Sequence, residues 1–243
     1  MRDTEFILKL RIDNMLIKGL QKLTLLDYPG KMACTVFTAG CNFRCPFCHN
    51  ASLVTSIDED RISEEEFFSF LKKRQGIIEG VCVTGGEPTL QPDLKDFLKK
   101  IKDMGYSVKL DTNGYRPEIL KDVVNSGLVD YVAMDIKNSQ SKYALTCGLE
   151  SLDIAKINES VEFLMSGAVD YEFRTTIVKE LHNADDIQDI VSWIKGAKKY
   201  YLQGFIDSGD LICSGYSGYN KNDLENMLNI AKNNFETVEL RGI

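Results

Sequence analysis

The chain has 243 residues, enough to bury a sizeable core, and its length favours one domain because α/β barrels of this size fold as single units. Hydrophobic residues make up 44% and charged residues 27%, with a net charge of −7 and no dense basic block, so ordinary soluble usage is indicated and nucleic acid is not expected as a partner. No apolar run approaches the ~18 residues that cross a bilayer, and the stretch 6–12 is broken by charges without a small-residue cleavage site, so neither membrane nor export is expected and the reading is cytoplasmic.

Taken in chain order, residues 1–15 stand outside any regular pattern, as an appendage or an extra strand. A single domain is expected over 16–243, with its core at about 30–206 and a C-terminal loop, helix and tail over 207–243. Met32 to Thr38 is a short run of β-formers, and a cysteine cluster follows it directly. Ser63 with Glu66 has the form of a capping box opening a helix. Lys72 to Arg74 and Lys99 to Lys102 read as solvated helix faces. Strands are expected at Ile77–Thr84, Tyr106–Leu110, Asp130–Ile136, Tyr171–Val178 and Tyr200–Ile206. Between and after them, helices are expected at Pro92–Gly105, Pro117–Asn125, Ile154–Met165, Asp185–Ala197 and Asp223–Asn233.

Strands alternating with helices argue for an α/β fold with a parallel sheet. Six βα units are too few for a closed eight-fold barrel and suit an open, partial barrel or a doubly wound sheet. Both architectures place ligands beyond the C-terminal strand ends. Unusual residues gather at those ends: the cysteines after the first expected strand, Gly85-Gly86-Glu87-Pro88 after the second, Asp111-Thr112-Asn113-Gly114 at the third and Asp135-Ile136-Lys137 at the fourth. Glycine lets a backbone approach a ligand closely.

Seven cysteines in a chain without an export signal favour metal binding or catalysis over disulfides. Cys41, Cys45 and Cys48 form a C-x₃-C-x₂-C spacing, and three thiolates this close can hold an iron–sulfur cluster with one iron left open. The alternative is a structural zinc with His49 as fourth ligand, although such sites usually pair two separated couples. Brown protein bleached by dithionite would indicate iron; colourless protein with zinc would exclude the cluster. Cys34 and Cys82 read as small core residues, and Cys147 and Cys213 as isolated loop residues, so a single cluster is expected.

With this cysteine spacing and GGEP, the sequence resembles the radical S-adenosylmethionine (SAM) superfamily from about Lys18 to Phe205. Within it, the segment Lys18–Lys31, the CPFCHN ending, DTNG and the closing ELRG resemble the glycyl-radical-enzyme activases, above all those of anaerobic ribonucleoside-triphosphate reductase. The resemblance implies a partial (β/α)6 barrel, with one 4Fe-4S cluster on Cys41, Cys45 and Cys48. Phe47 would lie near the adenine, and Gly85, Gly86 and Glu87 would meet the methionyl amino group. Asp135 and Lys137 would contact ribose and carboxylate, with Arg174 near the same ligand. Asp111 and Thr112 match positions that bind a monovalent cation, together with the Ala133 carbonyl. The chain has Gly204-Phe205 where some activases place a histidine, and His182 is expected at the surface.

The implied activity is reductive cleavage of SAM, giving a 5′-deoxyadenosyl radical that abstracts hydrogen from a glycine of a partner, leaving a glycyl radical. The implied partners are that glycyl radical enzyme and a flavodoxin- or ferredoxin-type electron donor. No side chain is needed as acid or base, which suits a chain with two histidines. The polar loop 207–220 is expected near the site, where it would receive the partner. Two rival readings are a radical enzyme acting on a small molecule, such as a 7-carboxy-7-deazaguanine synthase, and a non-catalytic metal-binding module, which would form no 5′-deoxyadenosine.

Overall fold

The structure, a computed structural model, describes residues 15–56 and 61–242. The appendage expected at 1–15 lies outside the described residues except for Met15, which is buried. The chain divides into two compact units. One gathers the described residues of 1–42, 52–112 and 118–131, and the other those of 43–51, 113–117 and 132–243.

In the first unit, β1 (Ile17–Thr24), β2 (Ala33–Thr38), β3 (Gly80–Gly85) and β4 (Ser107–Thr112) lie side by side in chain order. β2, β3 and β4 are parallel, with Thr35 opposite Cys82 and Cys82 opposite Lys109. β2 is buried at nearly every position, as a strand with neighbours on both sides must be. Side chains alternate across a strand. Val81, Val83, Val108 and Leu110 therefore share one face of the β3–β4 pair, and Cys82, Thr84, Lys109 and Asp111 share the other.

The helices of this unit are α1 (Ala51–Thr55), α2 (Glu64–Lys72), α3 (Leu94–Asp103) and α4 (Pro117–Asn125). The capping box forms as expected: the Ser63 hydroxyl accepts from Glu66 N, and the Glu66 carboxylate accepts from Ser63 N at 3.0 Å. α3 buries Leu94, Phe97, Leu98 and Ile101, the i, i+3, i+4, i+7 stripe of an amphipathic helix, and Phe97 stacks on Phe67 at 5.2 Å. Its lysines face outward, where Lys95 pairs with Asp122 at 2.6 Å and Lys102 with Asp130 at 2.7 Å. Exposed pairs of this kind contribute about 0–1 kcal/mol each, so the basic run is a solvated face.

In the second unit, β5 (Tyr131–Asp135, from Val132 on), β6 (Asp170–Ile177), β7 (Lys199–Gly204) and β8 (Thr237–Arg241) also follow chain order, with β6, β7 and β8 parallel. Its helices are α5 (Tyr143–Thr146), α6 (Ile154–Met165), α7 (Ala184–Trp193) and α8 (Lys221–Ala231). α7 opens on a second capping box, Asn183 with Asp186. Among the described residues, no helix is long and apolar enough to cross a membrane.

All six expected strands are present as β2 to β7. β1 and β8 were not expected as strands, for one physical reason. Each ends the strand order and is partly exposed, so its sequence lacks the apolar run of a central strand. β1 is also antiparallel, and its register slips between Ile17 and Gly19 and again between Gln21 and Thr24. α8 begins two residues earlier than expected because the Asn220 side chain caps it by accepting from Asp223 N at 3.0 Å.

β8 is held by charge as well as by its ladder. Arg241 binds Glu172 through both terminal nitrogens, at 2.7 and 3.0 Å, and its guanidinium carbon lies 3.3 Å from the Tyr201 ring centroid. The Glu172 side chain is 1% exposed, so removing the arginine takes a bidentate cationic partner away from a buried carboxylate. Arg241→Ala should cost about 2–3 kcal/mol in urea unfolding, moderated because the arginine is partly exposed. The double variant Arg241→Ala/Glu172→Gln should recover part of that loss.

Candidate functional site

In the first unit the expected site residues meet at the C-terminal ends of β2, β3 and β4. Beyond β2 the chain runs Ala39-Gly40-Cys41, alongside the turn that follows β3. Gly86 N donates to Thr38 O at 2.9 Å and Glu87 N to Gly40 O at 2.7 Å. This approach explains both glycines. A Cβ on Gly85, where φ is +122°, would collide with the Thr38 backbone, and one on Gly86 would fall inside contact distance of Gly40 O. The neighbouring backbone by itself therefore requires glycine at both positions.

Glu87 is buried, and its Oε1 accepts from Thr89 N at 3.1 Å, Thr89 Oγ1 at 2.6 Å and Thr112 Oγ1 at 2.8 Å. Thr112 and Glu87 are therefore brought together. Asp111 receives Thr84 Oγ1 at 3.2 Å and is ion-paired with Lys109.

The second unit holds the other group. Asp135 ends β5, and its carboxylate takes Arg174 Nε at 3.0 Å and Arg174 Nη2 at 2.9 Å on Oδ1, and Lys137 Nζ at 3.0 Å on Oδ2. Burial pushes its pKa up, but the Arg174 guanidinium and the Lys137 ammonium outweigh it and hold the carboxyl at about 2. Burial would likewise lower Lys137, and Asp135 overrides it, so the ammonium stays charged well past neutral pH. Two cations thus converge on this one carboxylate.

Cys45 and Cys48 belong to this same unit, with Cys48 N donating to Cys45 O at 3.0 Å. A hydrogen bond from the Cys147 thiol, with Lys137 adding to it, lowers the Cys45 thiol despite its burial. Burial raises Cys48, and Lys137 acts against that rise. Phe47 is buried and packs edge-on against Phe205 at 6.3 Å, and His49 lies 5.0 Å from the same ring. Phe205, following β7, is a neighbour of both rings at a position where no ligand contact was expected.

None of the seven cysteines is in a disulfide. Among the described residues, no group of three or more His, Cys, Asp or Glu side chains is already closed into a metal-holding arrangement. The donor chemistry fits an iron–sulfur cluster all the same. Three thiols outside any disulfide share one eight-residue loop, and two of them feel the field of Lys137. Cys34 is a core residue as expected, its thiol pushed up to about 12 by burial.

Two expectations need correction. Cys147 is not an isolated loop residue: it is buried at the end of α5, accepts Arg44 N at 2.9 Å and bonds the Cys45 thiol. His182 is not at the surface but 2% exposed. Its Nδ1 accepts from Val178 N at 3.1 Å, so the neutral ring carries its hydrogen on Nε2, which lies 2.8 Å from Lys137 O. The sequence signal was the spacing of His182 from Val178, a one-turn return after β6 that lets the ring cap the strand. The loop 207–220 lies against the cysteine loop, with Cys213 N donating to Pro46 O at 2.9 Å, and is tied down by Ser217 on Glu180 and Tyr219 on His182 O.

These contacts yield two expectations. Gly86→Ala should cost about 3 kcal/mol or more in urea unfolding, because the atom it meets is rigid backbone. Burial holds His182 below its ordinary value of 6.5, with Asp186 opposing and Lys142 reinforcing that shift. Its contribution to stability is therefore complete above about pH 6.5 and is lost as pH falls below that value. His182→Gln should flatten this part of the stability profile, measured as unfolding free energy at pH 7.5 and 5.5 beside the unsubstituted protein.

Residues 35–231 match the profile of the Radical SAM superfamily. A protein of Methanocaldococcus jannaschii, provisionally named a glycyl-radical enzyme activating enzyme, is 32% identical over 236 residues, covering 94% of this chain and 96% of its own. The pyruvate formate-lyase-activating enzyme of Clostridium pasteurianum is 34% identical over 131 residues, half of this chain and 52% of its own. Among solved structures, SuiB of Streptococcus suis bound to its precursor peptide SuiA superposes with a TM-score of 0.65 at 15% identity, over 86% of this chain and 48% of that one. That likeness concerns the fold, which is the α/β partial barrel expected from the sequence. A profile match over most of the chain, together with a relative aligned from end to end, makes this protein a member of the radical SAM superfamily.

Proposed function

We propose that the chain is a radical SAM activase that cleaves SAM reductively and installs a glycyl radical on a partner enzyme, with residues 16–243 acting as one domain. The observation that carries this reading is the coupling of Lys137 to two groups at once. It pairs with Asp135 and acts electrostatically on Cys45 and Cys48, so the side chains expected to bind SAM and two of the expected cluster ligands share one charge network. The end-to-end relative named as a glycyl-radical enzyme activating enzyme points to the same class.

In this reading Cys41, Cys45 and Cys48 hold a 4Fe-4S cluster, which with SAM supplies an electron and a 5′-deoxyadenosyl radical when bound. The protein's own residues bind and orient. Arg174 and Lys137 hold Asp135 ionised toward ribose and offer cations to the methionyl carboxylate. Phe47, braced by Phe205, offers an apolar face to adenine. The backbone of Gly85 and Gly86, with Glu87, provides acceptors for the amino group. No side chain is required to move a proton. The preferred partner is an anaerobic ribonucleoside-triphosphate reductase, on the strength of the CHN, DTNG and ELRG segments, with a flavodoxin- or ferredoxin-type electron donor.

Anaerobic reconstitution with iron and sulfide, followed by SAM and dithionite, should give brown protein and 5′-deoxyadenosine. Cys45→Ser should abolish both. Adding the reductase should yield a glycyl doublet by electron paramagnetic resonance. Colourless protein with bound zinc and no 5′-deoxyadenosine would reject radical chemistry. Formation of 5′-deoxyadenosine without a glycyl doublet on any glycyl radical enzyme would reject the activase reading in favour of a small-molecule substrate.

A further inference from the structure

The resemblance implies a monovalent cation at Asp111 and Thr112, together with the Ala133 carbonyl. The side chains of this chain do not fit that role. Lys109 stands two residues before Asp111 on the same face of β4, directly opposite Cys82 of β3. It is 1% exposed, and its ammonium is ion-paired with Asp111 Oδ1. An ammonium this deeply buried must be paired, and Asp111 supplies the counter-charge. The other oxygen of Asp111 takes the Thr84 hydroxyl at 3.2 Å.

The other expected side-chain ligand is also committed: Thr112 gives its hydroxyl hydrogen to Glu87 at 2.8 Å. A sodium or potassium ion at Asp111 would stand beside a buried ammonium, on a carboxylate already paired with that ammonium. Like charges at that separation repel strongly where solvent is excluded.

We propose that the buried ammonium of Lys109 takes the place of the monovalent cation at Asp111, so that this protein orders that strand end without sodium or potassium. Lys109 is thus a positioning residue: it fixes Asp111 and, through the adjacent backbone, the Thr112–Glu87 contact. The inference rests on reading Asp111 and Thr112 as part of the SAM site, but its test need not.

The protein without SAM is melted in sodium, potassium and choline chloride at equal ionic strength, beside Lys109→Met. The unsubstituted protein should melt at the same temperature, within about 1 °C, in all three salts. Lys109→Met should melt lower in choline and recover in sodium or potassium, saturably with concentration. If that variant does not fold, Lys109→Met/Asp111→Asn, which removes both charges, should fold and melt alike in every salt. Equilibrium dialysis of SAM against the reconstituted unsubstituted protein should give affinities within about twofold across the salts. A saturable sodium- or potassium-specific rise in its melting temperature, or a tenfold loss of SAM affinity in choline, would overturn the proposal. SAM binding in no salt would reject the SAM site while the melting comparison still judges Lys109.

Discussion

The arrangement of the cysteine loop depends on one backbone constraint: the chain leaving β2 runs within hydrogen-bonding distance of the turn leaving β3. Gly86 N on Thr38 O and Glu87 N on Gly40 O are main-chain bonds, so they fix where the chain stands as it reaches Cys41. They exist because residues 85 and 86 have no Cβ. Glu87, the next residue, buries its carboxylate and satisfies Oε1 with Thr89 and Thr112, which ties the same turn to the end of β4. Three strand ends are thus locked together by backbone bonds and one carboxylate, before any ligand is considered.

Beyond that frame, the protein manages buried charge by pairing it in place. Glu172 is met by Arg241, Asp111 by Lys109, and Asp135 by Arg174 and Lys137. Burying an unpaired charge costs several kcal/mol, so each pair is a structural requirement before it is a functional one.

Much of this was legible in the sequence because the informative residues lie at the C-terminal ends of central strands. Central strands carry long apolar runs, helices carry a 3.6-residue stripe, and the break between them exposes Cys41, Gly85, Asp111 and Asp135 in turn. What stayed illegible depends on contacts between segments distant in sequence. Cys147 lies 102 residues after Cys45, and nothing local marks it as a thiol that bonds the cysteine loop. His182 reads as a loop histidine until β6 and the carbonyl of Lys137 are set around it. Lys109 looks like the outward lysine of a strand end. Only the register that puts it opposite Cys82, beside Asp111, shows that it faces inward. Edge strands fail for the opposite reason, since half-exposed β1 and β8 have little apolar pattern to read.

The charges that result are insensitive to pH near neutrality, and this bears on what chemistry the residues can perform. Asp135 is held at about 2, and Lys137 stays protonated well above neutral pH. Burial keeps both resolved histidines below their ordinary value, His49 beside Phe205 and His182 beneath Lys137, so both rings are neutral at pH 7. A general acid or base works best when its pKa lies near the operating pH, and Asp135 and Lys137 both stand far from it. The groups around the cysteine loop are fixed charges and neutral rings, suited to binding and orienting a zwitterionic co-substrate. A site built this way leaves bond breaking to whatever it binds, which is what the radical SAM superfamily requires of its protein component.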